Sequence, residues 1–192
     1  MSFLVLGLVI FLGTHSVRIL AGDWRARTIA RVGHETWKGG YSLIALAGFA
    51  LLVWGYGEAR QSGAVLYDPP LYMRHVTALL MLVSFVLLAA VYVPGNHIKA
   101  AVGHPMAAGA KLWALAHLLS NGGLADVVLF GAFLAWAVAD FGVSRRRDRI
   151  AGTRYPAGSG ARTALAVAVG ALAWAVFAFW AHLWLTGVRP MG

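Results

Sequence analysis

Six long apolar runs recur along the chain, at residues 2–20, 41–57, 72–93, 105–120, 123–141 and 163–187. Runs of roughly 17–25 apolar residues match a helix crossing about 30 Å of hydrocarbon. In that solvent each backbone N–H and C=O must find its partner inside the segment, which an α-helix does unaided. The pattern predicts an all-α fold: a polytopic transmembrane helix bundle of about six spans, read as one integral-membrane domain over residues 1–192. Composition agrees, with 60% hydrophobic residues, 12% charged residues and a mean hydropathy of +0.71. A soluble domain carries about a quarter charged residues.

The formal net charge of +9 does not point to nucleic acid, because the basic residues flank the apolar runs. Thirteen of the sixteen lysines and arginines fall in the loops after spans one, three and five, with Arg18 counted in the first. The opposite side holds Arg60, Arg74 and Arg189. By the positive-inside rule, both termini then lie outside the cytoplasm. The first run has no basic segment before it and reads as an uncleaved anchor. Residues 21–40 are expected as a loop or interfacial helix, with Trp24 and Trp37 at headgroup level, and residues 142–162 as a basic, glycine-rich cytoplasmic loop. The lipid bilayer is the first partner.

With no cysteine, the chain has no disulfide, no thiolate metal site and no covalent c-type haem attachment. Histidine is then the obvious candidate ligand, and there are seven. His15 lies in span one, with Phe11 one turn before it and Arg18 almost one turn after. His104 precedes Pro105, a pair suited to starting a helix. In span four Gly103, Ala107, Ala110, Ala114, His117 and Asn121 share a face on a 3.6-residue period, and in span six Ala164, Ala168, Ala171, Ala175, Ala178 and His182 do the same. Two small-residue stripes, each leading to a histidine at similar depth, could clamp something flat, and pattern alone pairs His117 with His182. Such stripes also serve plain helix packing, with each histidine bonded to a neighbouring helix. A non-covalent haem b suits inward histidines in a dry bundle, and Arg18 could neutralise a propionate if His15 is a ligand. No phosphate loop, zinc-protease motif or nucleophile elbow is present.

The blocks FLGTHSVR at 11–18 and GHPMAAGAKLWALAHLLSNG at 103–122 resemble the NnrU family of bacterial membrane proteins, which includes 15-cis-zeta-carotene isomerase. The likeness covers most of the chain. It implies an inner (plasma) membrane protein associated with denitrification, in the pathway of nitrite and nitric oxide reduction, working with nitric oxide reductase or an electron donor. It further implies a haem b whose axial pair is His15 and His117, with His104 a further functional candidate. Depth opposes that pair: at about 1.5 Å per residue the two histidines sit roughly 12 Å apart along the membrane normal. The alternatives are a haem-dependent cis-trans isomerase of a polyene such as 15-cis-zeta-carotene, binding a hydrophobic small molecule, and a non-haem membrane assembly factor.

Overall fold

The computed structural model describes residues 1–61 and 63–190 and contains no β-strand among them. The helices are α1 (Ser2–Leu20), α2 (Gly22–Val32), α3 (His34–Arg60), α4 (Met73–Tyr92), α5 (His97–Val102), α6 (Pro105–Ser120), α7 (Leu124–Ala151), α8 (Gly160–Val176) and α9 (His182–Thr186). A π-helical turn, Phe177–Ala181, joins the last two. The polytopic helical fold is as expected, and five helical stretches are long and apolar enough to cross a membrane: α1, α3, α4, α7 and the run Gly160–Thr186. At 16 residues α6 is about 24 Å long, short of the hydrocarbon thickness.

Three expectations are corrected. Span two starts earlier than residue 41: α3 begins at His34, and of the two alternatives for residues 21–40 it is the helix, α2, that is found. The basic stretch after residue 141 begins as helix, because α7 runs on to Ala151 before the chain turns at Gly152. Arginine is a good helix former, and beyond the apolar run water can take the polar groups, so hydropathy falls at residue 142 while the helix does not end. Lys111 was tallied with the loop after span three, yet it stands inside α6, with Nζ 3.8 Å from the centre of the Phe141 ring.

The described residues form two compact units. The first is Met1–Tyr67 with Gly122–Trp136, and the second is Asp68–Asn121 with the chain from Ala137 onward. In the first, α1 and α3 run antiparallel and pack through small residues. Ala45, Gly48, Leu52, Gly55 and Ala59 are buried at alternating steps of three and four, the seam of a coiled coil. The backbone at Leu4 lies against Gly55 and that at Leu52 against Gly7, so the two helices approach more closely than any residue with a Cβ would allow. The segment before Tyr67 folds back on the start of α7, where Leu66 N–H donates to Gly122 O (2.7 Å) and Leu124 N–H to Ala64 O (2.8 Å).

In the second unit α4 is central. Its antiparallel pairing with α6 is fixed by Thr77 Oγ1 donating to Ala116 O (2.8 Å) and by the fully buried Ser84 donating to Gly109 O (2.8 Å). Its other side takes α8, where Gly170 lies against the backbone of Val86. The buried positions of α8 are Ala166 and Gly170, not the expected alanine stripe, whose first members Ala164 and Ala168 are exposed. The face with the smallest residue packs most closely, and here that residue is glycine. Asn96, 1% exposed, stops the turn after α4: its Nδ2 donates to Ala90 O (2.8 Å) while Oδ1 accepts from Lys99 N–H and caps α5. Ser159 caps α8 in the same way.

The partition of side chains is inverted relative to a water-soluble protein. The buried set is mostly Ala, Gly and Ser with a few Leu, while Leu43, Leu46, Leu79, Leu172, Phe179 and Trp184 face outward. An apolar exterior over a small-residue interior is what helices dissolved in lipid require, since close backbone approach replaces the hydrophobic effect as the packing force.

Candidate functional site

The second unit contains a cavity of about 240 Å³. One wall is α4, from Arg74 through Met81 to Phe85; another is the end of α6, with His117, Ser120 and Asn121. Trp174, Phe177, Ala178 and His182 close the far side, and Val188, Arg189 and Pro190 complete it. His117 and His182, paired by pattern in the sequence, thus line one cavity.

Local structure aims both rings. His117 sits in the last turn of α6, its Nδ1 2.8 Å from Trp113 O and its ring 5.2 Å from that of Trp113. A carbonyl can only accept, so Nδ1 carries the proton and the lone pair is on Nε2. His182 follows the π turn, in which residues five apart stack on one side, and its ring meets Phe177 edge-on at 5.7 Å. Gly187, at φ 73°, then turns the chain back so that Val188 O accepts from His182 Nδ1 at 2.8 Å. The chain beyond α9 therefore both orients this imidazole and supplies cavity wall. Tying Nδ1 to a carbonyl and presenting Nε2 is the arrangement of a metal-ligating histidine.

His15 belongs to the first unit. Its Nδ1 donates to Phe11 O (2.7 Å), giving the same tautomer, and its ring lies among Phe11 (4.3 Å), Tyr41 (5.5 Å) and Trp136 (6.0 Å). The buried indole N–H of Trp136 has no hydrogen-bond partner among the described residues. Arg18 is exposed in the last turn of α1. His15 is not part of the cavity lining, so the cavity does not bring together the His15–His117 pair that the resemblance implied.

His104 stands elsewhere in the second unit, at the N-cap of α6. Its Nε2 lies 2.8 Å from Asp148 Oδ2, which also accepts from the Tyr155 hydroxyl at 2.7 Å. Burial, and then the hydrogen bond and charge of Asp148, raise the Tyr155 phenol above its ordinary value of 10.0, with Arg145 opposing. Gly103, at φ 75°, allows this meeting: a Cβ there would lie 2.9 Å from both Arg145 Nη1 and a Tyr155 ring carbon. Among the described residues no group of three or more His, Asp or Glu could hold a metal ion.

Several residues escaped the sequence reading. Arg74 looked like a topology marker, and Arg189 lies too far along the chain to be linked with it. Asp148, an acid inside the run SRRRDR, carried a readable signal, since a lone carboxylate there suggests a specific partner. Tyr56 donating to Asp126, in the first unit, was invisible without the contact between α3 and the start of α7. His34, His75 and His97 are exposed and take no part in the cavity.

A family model described as NnrU protein matches residues 3–190. No curated protein and no solved structure gives a significant match. With nearly its whole length matched, and with the helical membrane architecture described above, this chain belongs to the NnrU family.

Proposed function

We propose that the chain binds one haem b non-covalently in the second-unit cavity, with His117 and His182 as axial ligands, and that it serves nitrite and nitric oxide reduction in a bacterial inner membrane. The observation that carries this reading is the shared cavity lined by two imidazoles, each with Nδ1 held by a backbone carbonyl. The donor set fits: neutral imidazoles bind haem iron, and Trp174, Phe177 and Phe85 give flat apolar walls. Ligand pockets usually measure about 300–1,000 Å³, and this cavity of about 240 Å³ lies below that range, so its walls would have to part to admit a porphyrin between the two imidazoles.

Bound there, the haem supplies a one-electron redox couple. The chain's own residues orient and exclude: Trp113 and Val188 carbonyls fix the two rings, and the aromatic walls keep water from them. The charge asymmetry of the loops supports a topology with both termini outside the cytoplasm, which takes α6 as a sixth crossing beside the five long apolar helices. Nitric oxide reductase or a smaller electron donor is the partner implied by this role. His15, with Arg18 beside it, is the competing second ligand. His104 acts apart from the iron, through Asp148.

The test is the haem content of protein purified in mild detergent from haem-supplied cells, measured as the pyridine haemochrome. One b-type haem per chain is expected, and an apoprotein would overturn the proposal in favour of a non-haem assembly role. A polyene isomerase would in addition shift the isomer ratio of added zeta-carotene when the protein is reduced; an unchanged ratio removes that alternative.

A further inference from the structure

We propose that Arg74 and Arg189 form a carboxylate-binding rim on the His117–His182 cavity, so that its occupant is an amphipathic acid with a flat apolar body. The proposal rests on the cavity being a ligand site, as argued above. The two arginines come from separate parts of the chain, Arg74 from the first turn of α4 and Arg189 from the chain beyond α9, and they line the same cavity. Among the described residues neither guanidinium has a hydrogen bond, ion pair or ring contact. No Asp or Glu lines the cavity either, and the chain has only seven. The two hydroxyls nearby are committed: Thr77 and Ser120 hydrogen-bond each other, and Thr77 also donates to Ala116 O.

Two cations without counter-charge at the edge of an apolar bundle repel each other and favour an anion. Guanidinium presents a planar fork of donors that matches a carboxylate two bonds at a time, which a lysine would not. Pro190 restricts Arg189 to extended backbone, and Gly187 turns the segment back toward α4, so the chain is shaped to carry a cation to this rim. Along α4 the lining runs from Arg74 in the first turn to Phe85 about three turns on, whose ring lies 5.6 Å from that of Phe177. A ligand complementary to that gradient has rings at one end and acid groups at the other.

The experiment uses the full chain in mild detergent, titrated with metal-free protoporphyrin IX and with its dimethyl ester, binding being read from quenching of tryptophan fluorescence. The wild type should bind the diacid at least tenfold more tightly than the ester. The double variant Arg74→Gln/Arg189→Gln should lose that preference, and Arg149→Gln, at the exposed end of α7, should keep it. Equal binding of acid and ester by the wild type, no binding of the diacid, or an unchanged preference in the double variant would each overturn the proposal. So would displacement of the diacid by stoichiometric phosphatidylglycerol, which would make a lipid phosphate the occupant. A haem ligated by His117 but indifferent to both arginines refutes the rim and leaves the haem reading standing. An arginine-dependent diacid site with no imidazole-ligated haem does the reverse.

Discussion

The close packing of α1 on α3 predicts opposite effects for two alanine substitutions two residues apart on α3. A Cβ added at Gly55 would lie 2.3 Å from Leu4 N and 2.5 Å from Phe3 C, both backbone atoms of α1. A Cβ added at Gly57 meets nothing within 4 Å. Backbone cannot rotate away, so α1 must retreat by about an ångström, which forfeits a quarter to a half of each contact's attraction along the seam. Overpacking of this kind costs about 1–3 kcal/mol, and contacts this short put Gly55→Ala near the upper end. Alanine in place of glycine in a helix returns about 1 kcal/mol at either site. The net expectation is a loss of about 2 kcal/mol for Gly55→Ala and a gain of about 1 kcal/mol for Gly57→Ala. At about 1.4 kcal/mol per decade, that separation of about 3 kcal/mol is two orders of magnitude in the folded-to-unfolded ratio. Reversible unfolding in mixed micelles, followed by tryptophan fluorescence, measures both. Equal stability of the two variants would refute the glycine-mediated packing of α1 on α3.

Further tests follow from individual residues. Asn96→Ala removes a buried amide that serves two carbonyls and caps α5, and should lower stability by about 2 kcal/mol in the same unfolding assay. Gly187→Ala forces a β-carbon into left-handed backbone at a cost of about 1–2 kcal/mol, shifting the Val188 carbonyl off His182. Ligand affinity at the cavity should fall with it, whereas Gly152→Ala, strained alike at φ 61° but remote from the cavity residues in sequence, should leave affinity intact. Tyr155 has a raised folded-state pKa, so its bond to Asp148 is fully present below the ordinary value of 10.0 and is lost only as pH rises through the shifted one. An alkaline absorbance titration of wild type against Tyr155→Phe should therefore reveal a phenol that ionises above 10.0; ionisation at or below that value would contradict the cluster.

The spans were legible where a cap punctuates them. Residues 2–20 and 105–120 match α1 and α6 because Pro105 opens one and Asn121-Gly122-Gly123 closes it, and because α1 stops where apolar sequence stops. The end of α7 was not legible, since a run of arginines continues a helix into water as readily as it marks a loop. Half of the candidate site could be read: spacing on α6 and the run from Gly160 suffices to relate His117 and His182, although the π turn at Phe177–Ala181 breaks the period used to do so. The arginine rim could not, because it depends on a turn at Gly187 that brings residue 189 into the lining alongside residue 74. His15 was read from its motif, and the structure adds its tautomer and its aromatic surroundings within the first unit, both of the kind a ligand has.

The central claim is most directly tested by the reduced-minus-oxidised absorption spectrum of the purified protein beside its His117→Ala, His182→Ala and His15→Ala variants. The account predicts a b-type spectrum that is lost or converted to a five-coordinate form in the first two variants and retained in the third. A spectrum that survives at His182 and disappears at His15 would contradict the assigned pair, and one that survives at His117 would contradict the site itself.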